Sequence, residues 1–326
     1  MSYILIISDE TDLSTNHVID WLSSTKQRYI RVNDTDILNI SKFNINDKGI
    51  SIQFEFEFFG KSKTFFLNEI SSVWYRRGEL NLNFQYFLHK NKSMQNGINK
   101  YHINEKTNIE NFIYQYLLNK KHINSFFDNY TNKLYNLFVA SSVGLKIPST
   151  TITTNKLTII HEINTHKKMI TKAITEGSIR FSPNSGIGYH TCLIENKNLL
   201  TMPDNFSRSL IQPCIDKAYE LRIFYLDNDF YPMAIFSQND EQTKIDFRNY
   251  NYAKPNRTVP YNLPIEIKDK LIEFVKKIEI NSGSIDIVVS KSNDFYFLEV
   301  NPIGQFQQLS TPCNYYIEKK IAHYLQ

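Results

Sequence analysis

The sequence predicts a mixed α/β (α+β) protein: a small N-terminal α/β domain, then a larger part ending in antiparallel sheet. Three observations predict this. Residues 3–32 read as strand, amphipathic helix and strand, a β-α-β unit that implies parallel pairing. Glu220 to Leu226 and Tyr231 to Phe236 are strand-like runs joined by the turn residues Asp227 to Asp229. Ser284 to Val289 and Phe295 to Val300 repeat that arrangement across Ser290 to Asp294.

The chain has 326 residues, enough for two or three domains with a substantial core. Hydrophobic residues make up 41% and charged residues 21%, the balance of a globular protein. A net charge of +4 is small for this length and argues against a general nucleic-acid binder. Cys192, Cys214 and Cys313 are widely spaced and form neither a zinc motif nor a disulfide framework, which fits a reducing compartment. The N-terminus lacks a basic segment, and its apolar run, Tyr3 to Ile7, is too short for a signal peptide. No run reaches transmembrane length. The expectation is a soluble cytoplasmic protein with no nucleic-acid or membrane partner.

In the first domain, Tyr3 to Ser8 is a buried-type strand, Val18, Ile19 and Leu22 mark one helical face, and Tyr29 to Val32 returns as a strand. No glycine-rich loop follows the first strand, which excludes a dinucleotide fingerprint. Ile52, Phe54, Phe56 and Phe58 alternate with polar residues, a half-buried strand that turns at Gly60 and Lys61 and returns over Thr64 to Leu67. Arg76 and Arg77 leave the strand of Trp74 and Tyr75. They are either two solvated arginines or an anion site. Residues 81–104 are polar and Asn/Lys-rich, a loop or loose helix. Ile109, Phe112, Ile113, Tyr116 and Leu117 then give a helix over Glu105 to Lys121.

In the second part, Asn132 to Ala140 is a helix ended by Gly144, with Pro148 beyond. Lys168 to Ile174 is a strand holding Lys172 among apolar neighbours. That lysine either snorkels to the surface or meets a phosphate. Glu176 to Tyr189, with Gly177, Gly186 and Gly188, is a flexible loop able to close on a nucleotide, though not a P-loop. Thr191 to Met202 reads as a hairpin, and Leu210 to Ile215 as a connector. Glu220 and Arg222 share a strand face, as do Asp246 and Arg248 in the run Ile245 to Tyr250. Pro264 opens a helix with Ile267, Leu271, Phe274, Val275 and Ile278 on its apolar side.

The most informative stretch is Phe297 to Gln305. Glu299 and Asn301 lie on one face of a strand that Pro302 ends. Pairing with the preceding strand brings Asp286 beside Glu299. Two carboxylates and a carboxamide are hard oxygen donors suited to magnesium. An acidic residue at a strand end is also an ordinary salt-bridging group, so the rest of the chain has to decide.

Taken in order, Asn132–Lys133, Lys172, the segment around Gln212, Arg222, Asp246 to Arg248, Asp286, and Glu299 to Pro302 resemble the ATP-grasp ligases. Val73 to Gly78, Lys217 to Arg222, Ile235 to Gln238, Asn281 to Asp286 and Phe297 to Phe306 narrow this to ligases that crosslink ribosomal peptides, the microviridin-type or graspetide enzymes. Within these the sequence looks most like the grasp-with-spasm subgroup. The resemblance implies an ATP-grasp fold with an N-terminal pre-ATP-grasp domain over 1–125. A central subdomain over 126–209 would hold the nucleotide lid and a candidate leader-binding hairpin, Tyr189 to Met202. A C-terminal subdomain over 210–326 would hold the metal and catalytic site. It further implies ATP and one or two Mg2+ ions.

The roles implied are Asp286, Glu299 and Asn301 on metal, Lys133 and Lys172 on phosphates, and Gln212, Pro213, Cys214 and Ile215 around adenine. Arg222 would be the catalytic cation, and Arg76, Arg77, Lys217, Asp246 and Arg248 would face the peptide substrate or support the site. Pro213 departs from the acidic residue common after the hinge glutamine. The implied reaction phosphorylates a Glu or Asp side chain of a precursor peptide, made of leader and core, and joins it to a Thr, Ser or Lys side chain. A SPASM-domain protein and a second copy of the chain are further candidate partners. Two alternatives stay open: an ATP-grasp ligase that adds an amino acid to a small molecule or protein C-terminus, and a non-catalytic peptide-binding module.

Overall fold

The computed structural model describes residues 2–326 except 59, 85–89, 176–177, 183–184 and 189. It divides into two compact units, residues 1–130 with 316–326, and residues 131–315. The sequence placed 210–326 in one domain, whereas the last eleven residues, 316–326, belong with the first unit.

The first unit opens with β1 (Tyr3–Ser8), α1 (Leu13–Ser24) and β2 (Tyr29–Asn33), as the sequence predicted. Asp12 starts α1 by accepting from the Ser14 amide, satisfying one of the unpaired donors of the first turn. The aromatic run expected over residues 50–67 is part of a larger meander of β3 (Ile37–Asn46), β4 (Gly49–Phe58) and β5 (Lys61–Phe66). The polar β3 was not predicted. Only Leu38 of it is buried, so it lacks a clear alternation. β6 (Ile70–Tyr75), β7 (Asn81–Leu82), α2 (Lys92–Leu118) and β8 (Lys121–Ile123) follow. Helix α2 starts at Lys92, earlier than the expected Glu105, because Asn91 caps it by accepting from the Ser93 and Met94 amides. Strands in the order β2-β1-β6-β8 form a parallel sheet, and β5-β4-β3-β7 a second sheet. The C-terminal helix Ile317–Leu325 also lies in this unit, where Ser72 Oγ donates to the Leu325 carbonyl at 2.6 Å.

The second unit begins with α3 (Lys133–Ser142), β9 (Thr151–Asn155), α4 (Lys156–His166) and β10 (Met169–Lys172). Of the expected glycine-rich loop, 176–177, 183–184 and 189 lie outside the described residues. β11 (Ser178–Ser182) and β12 (Ser185–Gly188) pair antiparallel within it. The segment expected to be a hairpin at 189–202 is instead the short strand β13 (Cys192–Leu193) followed by helix α5 (Asn196–Thr201). The expected connector at Leu210 is the end of a long strand, β14 (Asn205–Pro213), which pairs with both β10 and β9. Ile194 and Leu199, within the segment that the resemblance implies for leader binding, pack around Ile159, Met169 and Ile211.

The remainder is β15 (Lys217–Leu226), β16 (Asp229–Phe236), β17 (Arg257–Pro260), α6 (Ile265–Lys277), β18 (Ser282–Ser290) and β19 (Phe295–Asn301). These strands form an antiparallel sheet, β17-β16-β15-β18-β19. Asp227 and Asn228 both take positive φ, the two-residue turn that matches strand twist. Leu221, Ile223 and Tyr225 of β15 and Ile285, Ile287 and Val289 of β18 pack with Leu137 and Ala140 of α3 and Phe274 and Val275 of α6. One face of the sheet therefore makes the core. By the two-residue period, Glu220, Arg222 and Asp286 point to the other face.

Candidate metal and nucleotide site

That other face borders a cleft of about 750 Å3 within the second unit. Its lining includes Lys172, Gln212 to Lys217, Glu220, Asp246, Arg248, Asp286 and Glu299. The carboxylate pair is made by the β18–β19 hairpin, where Asp286 lies directly opposite Glu299. Simple alternation would put Glu299 on the same face as Phe297, which is in the core. A bulge resolves this: Ile287 pairs with Phe297 while Asp286 pairs with Glu299, so Leu298 is the extra residue. The bulge re-aims Glu299 into the cleft and returns Val300 to the core.

Each carboxylate carries a cation. Lys133 Nζ lies 3.0 Å from Glu299 Oε2, and Arg248 Nη1 lies 3.8 Å from Oε1. Lys133 is placed there by the start of α3, where Asn132 accepts from the Leu134 and Tyr135 amides. Arg222 uses one nitrogen, Nη1, on both Asp286 oxygens, at 2.8 and 2.7 Å. Its Nε is buried without a hydrogen-bond partner. Burial pushes the Asp286 carboxyl up despite Arg222, with Glu299 adding to the rise. For Glu299, desolvation is the largest influence and is upward, yet Lys133, Arg248 and Lys172 together hold it below the usual carboxylate range.

Asn301 ends β19 exposed, and its Oδ1 accepts from the Ile303 amide at 3.1 Å, which fixes the side-chain oxygen while leaving a lone pair. The turn after it lies tightly on β18. A Cβ on Gly304 would overlap Ser284, and one on Gly283 would meet Asn301 O at 3.0 Å. The Lys172 side chain lines the cleft and makes no hydrogen bond or ion pair among the described residues. Burial pulls its pKa down. Its side chain is therefore placed at the cleft. Gln212 donates to Thr150 Oγ1 at 2.8 Å and leaves its own Oε1 buried and unpaired. Pro213, Cys214 and Ile215 line the cleft beside it.

Asp246 holds Arg248 through the backbone amide at 3.0 Å and through Nε and Nη2 at 2.9 and 2.8 Å. Desolvation raises the Asp246 carboxyl, but Arg248 outweighs it and the pKa falls to about 2. Lys217, expected to face substrate, is buried on Glu220 and donates to the Ile245 carbonyl at 3.1 Å. Glu220 also accepts from Ser237 Oγ at 2.8 Å. Thus Lys217 braces the loop carrying Asp246. In the first unit, Arg76 is buried, with Nε 2.7 Å from Asp12 and 3.1 Å from Ser14 Oγ. Desolvation lowers its pKa to about 10 despite Asp12. Arg76 is therefore not a solvated arginine. Arg77 is more exposed, with Nε 3.5 Å from both Asp9 and Asp12.

Sequence reasoning passed over Thr150 and the Leu298 bulge, and it quoted Ser237 only within Ile235 to Gln238, without a role. Their roles depend on partners distant in the chain, and no local pattern marks them. Among the described residues, no cluster of three or more His, Cys, Asp or Glu side chains is arranged to hold a metal. The set present is two carboxylates and a carboxamide. It fits Mg2+ held jointly with phosphate oxygens, because that ion keeps few protein ligands. Orphaned Arg222 Nε and the free Lys172 fit the phosphates.

No family model matches the chain, and no curated protein matches it. Solved structures do. A Chryseobacterium gregarium RiPP-associated ATP-grasp ligase, in complex with ADP and a leader and core peptide, is 24% identical; the match covers 100% of this chain and 96% of that one, TM-score 0.76. The macrocyclase MdnC from Microcystis aeruginosa, bound with precursor peptide MdnA, is 23% identical over 99% of each chain, TM-score 0.72. The macrocyclase MdnB from the same organism is 18% identical over 100% of this chain and 99% of its own, TM-score 0.69. The chain has the fold of these ATP-grasp ligases along its whole length, as the sequence resemblance implied. Among the described residues, no helix is long and apolar enough to cross a membrane.

Proposed function

We propose that this chain is an ATP-dependent ligase that forms ω-ester or ω-amide crosslinks within a ribosomally made precursor peptide. The observation that carries the reading is the Asp286–Glu299 pair, which lines the cleft with Lys172 and is met by Lys133 on Glu299 and by Arg222 on Asp286. Support comes from the shared fold with ligases described in complex with leader, core or precursor peptides, ADP and Mg. Phosphoryl transfer asks the protein for positioning and charge neutralisation rather than covalent chemistry, and this cleft supplies both.

In this reading a Glu or Asp carboxylate oxygen of the peptide takes the γ-phosphoryl group of ATP, giving an acyl phosphate and ADP. A Thr or Ser hydroxyl, or a Lys amine, then attacks the acyl carbon and loses its proton. The C–O bond to phosphate breaks, and phosphate leaves. Lys133 and Lys172 hold the nucleotide phosphates. Arg222, with its unused Nε, donates to the transferred phosphoryl group and steadies the acyl phosphate. Asp286, Glu299 and Asn301 would hold Mg2+, which would supply charge neutralisation for the phosphates. Gln212 to Ile215 receive the adenine. Asp246 fixes Arg248 at the edge of the metal site.

The grasp-with-spasm assignment, with a SPASM-domain partner, is a finer proposal that rests on the sequence resemblance. A homodimer and a cytoplasmic location are also proposed. The test is mass spectrometry of any small peptide encoded beside this gene, after incubation with the protein, ATP and Mg2+. Loss of one water per crosslink, abolished by Glu299→Gln, is expected. An unmodified peptide alongside ATP-dependent addition of an amino acid to another acceptor would overturn the reading.

A further inference from the structure

We propose that Lys133 and Arg222 close the Asp286–Glu299 pair to a free divalent cation, so that metal enters only together with a nucleotide. The inference rests on the reading of that pair as the metal site. Two carboxylates placed opposite each other across a hairpin repel, and each is met by a close cation: Lys133 on Glu299 at 3.0 Å, with Arg248 farther off at 3.8 Å, and Arg222 on Asp286 at 2.7 Å. The two carboxylates, Lys133 and Arg222 are poorly exposed, between 11% and 27%, so solvent screens them weakly.

The charge balance gives the direction. Arg248 is already neutralised by Asp246. Against Asp286 and Glu299 stand Lys133, Lys172 and Arg222, so these five side chains together are net positive. A bare divalent cation would add positive charge to that site and would have to displace a partner from each carboxylate. The phosphates of a nucleotide reverse the sign. They also offer Lys133 a new partner, and they offer Arg222 an acceptor for the buried Nε that Asp286 leaves unpaired. The same two cations thus move from carboxylate to phosphate as the metal takes their place.

The test is titration of Mn2+ into the intact protein, read by its electron paramagnetic resonance signal, with and without ADP. Wild type is expected to bind Mn2+ at least about tenfold more tightly with ADP than without it, which is about 1.4 kcal/mol. Lys133→Met, and Lys133→Gln as a second variant at this partly exposed position, should tighten nucleotide-free Mn2+ binding by about tenfold or more and weaken ADP binding. Equal Mn2+ affinity with and without ADP in wild type, or unchanged nucleotide-free affinity in both Lys133 variants, would overturn the proposal. The nucleotide-free arm keeps the two readings apart: absence of any ADP binding would count against the ligase assignment, while the Lys133 effect on Mn2+ alone tests the closure.

Discussion

Gly304→Ala should damage the site without touching any ligand. Gly304 does not have a positive φ, so the demand on it is space. A Cβ there would overlap both Cβ and Oγ of Ser284 and would stand 2.9 Å from the Asn301 carbonyl oxygen. Ser284 is fully buried in β18 and donates to the Gln305 carbonyl at 3.0 Å, so it cannot swing away freely. The turn itself has to lift. Overpacking of this kind costs about 1–3 kcal/mol. For a unit of this size, about 2–4 °C of melting temperature is lost per kcal/mol. Because the turn carries Asn301, lifting it should also weaken Mn2+–ADP binding and lower crosslinking by up to about 100-fold, the scale of a misplacement near 1 Å. Calorimetric melting and Mn2+–ADP titration measure the two effects, and Ser284→Gly added to Gly304→Ala should restore part of both. A Gly304→Ala protein with unchanged melting temperature and unchanged Mn2+–ADP affinity would refute the close-packing argument.

Other consequences are open to direct measurement. Arg222→Lys should lower turnover by about 100-fold or more with little change in ADP affinity, since lysine keeps the charge but loses the planar donor set; rapid-quench turnover would show it. Lys217→Met leaves Glu220 buried without its cation and should destabilise by about 3–5 kcal/mol, whereas Lys217→Met with Glu220→Gln should recover much of that in denaturant unfolding. The Asp246 pKa is depressed to about 2 in the fold, so its contribution is present above the unfolded value near 3.8 and is lost as pH falls through about 2. The stability gap between wild type and Asp246→Asn should therefore be full above about pH 4 and shrink toward pH 2 in acid unfolding. Leu200 is the apolar side chain of the 192–202 segment left 84% exposed, so Leu200→Ser should weaken leader-peptide binding in calorimetry if that segment anchors the leader, with ADP binding unchanged.

Local chemistry in the sequence determined much of the scaffold. Buried runs with turns between them marked β1, β15, β16 and the β18–β19 hairpin, and the helical period marked α1, α3 and α6. Period-two alternation also put Glu299 and Asn301 on one face, and hairpin pairing put Asp286 beside Glu299. The tertiary structure alone decided the rest, because it depends on atoms far apart in the chain. The Leu298 bulge, invisible to a period count, is what lets Glu299 face the cleft while Phe297 fills the core. Lys217 lines the cleft, but its ammonium is held by Glu220 and the Ile245 carbonyl, partners that its strand pattern does not reveal. Arg76 and Arg77, alike in sequence, separate into a buried partner of Asp12 and a more exposed neighbour. β3 and β14 form where sheet partners supply the hydrogen bonds their own patterns do not advertise. Periodicity reports which way a side chain points; only the folded chain brings it the opposite charge, the acceptor or the steric wall that fixes what it does.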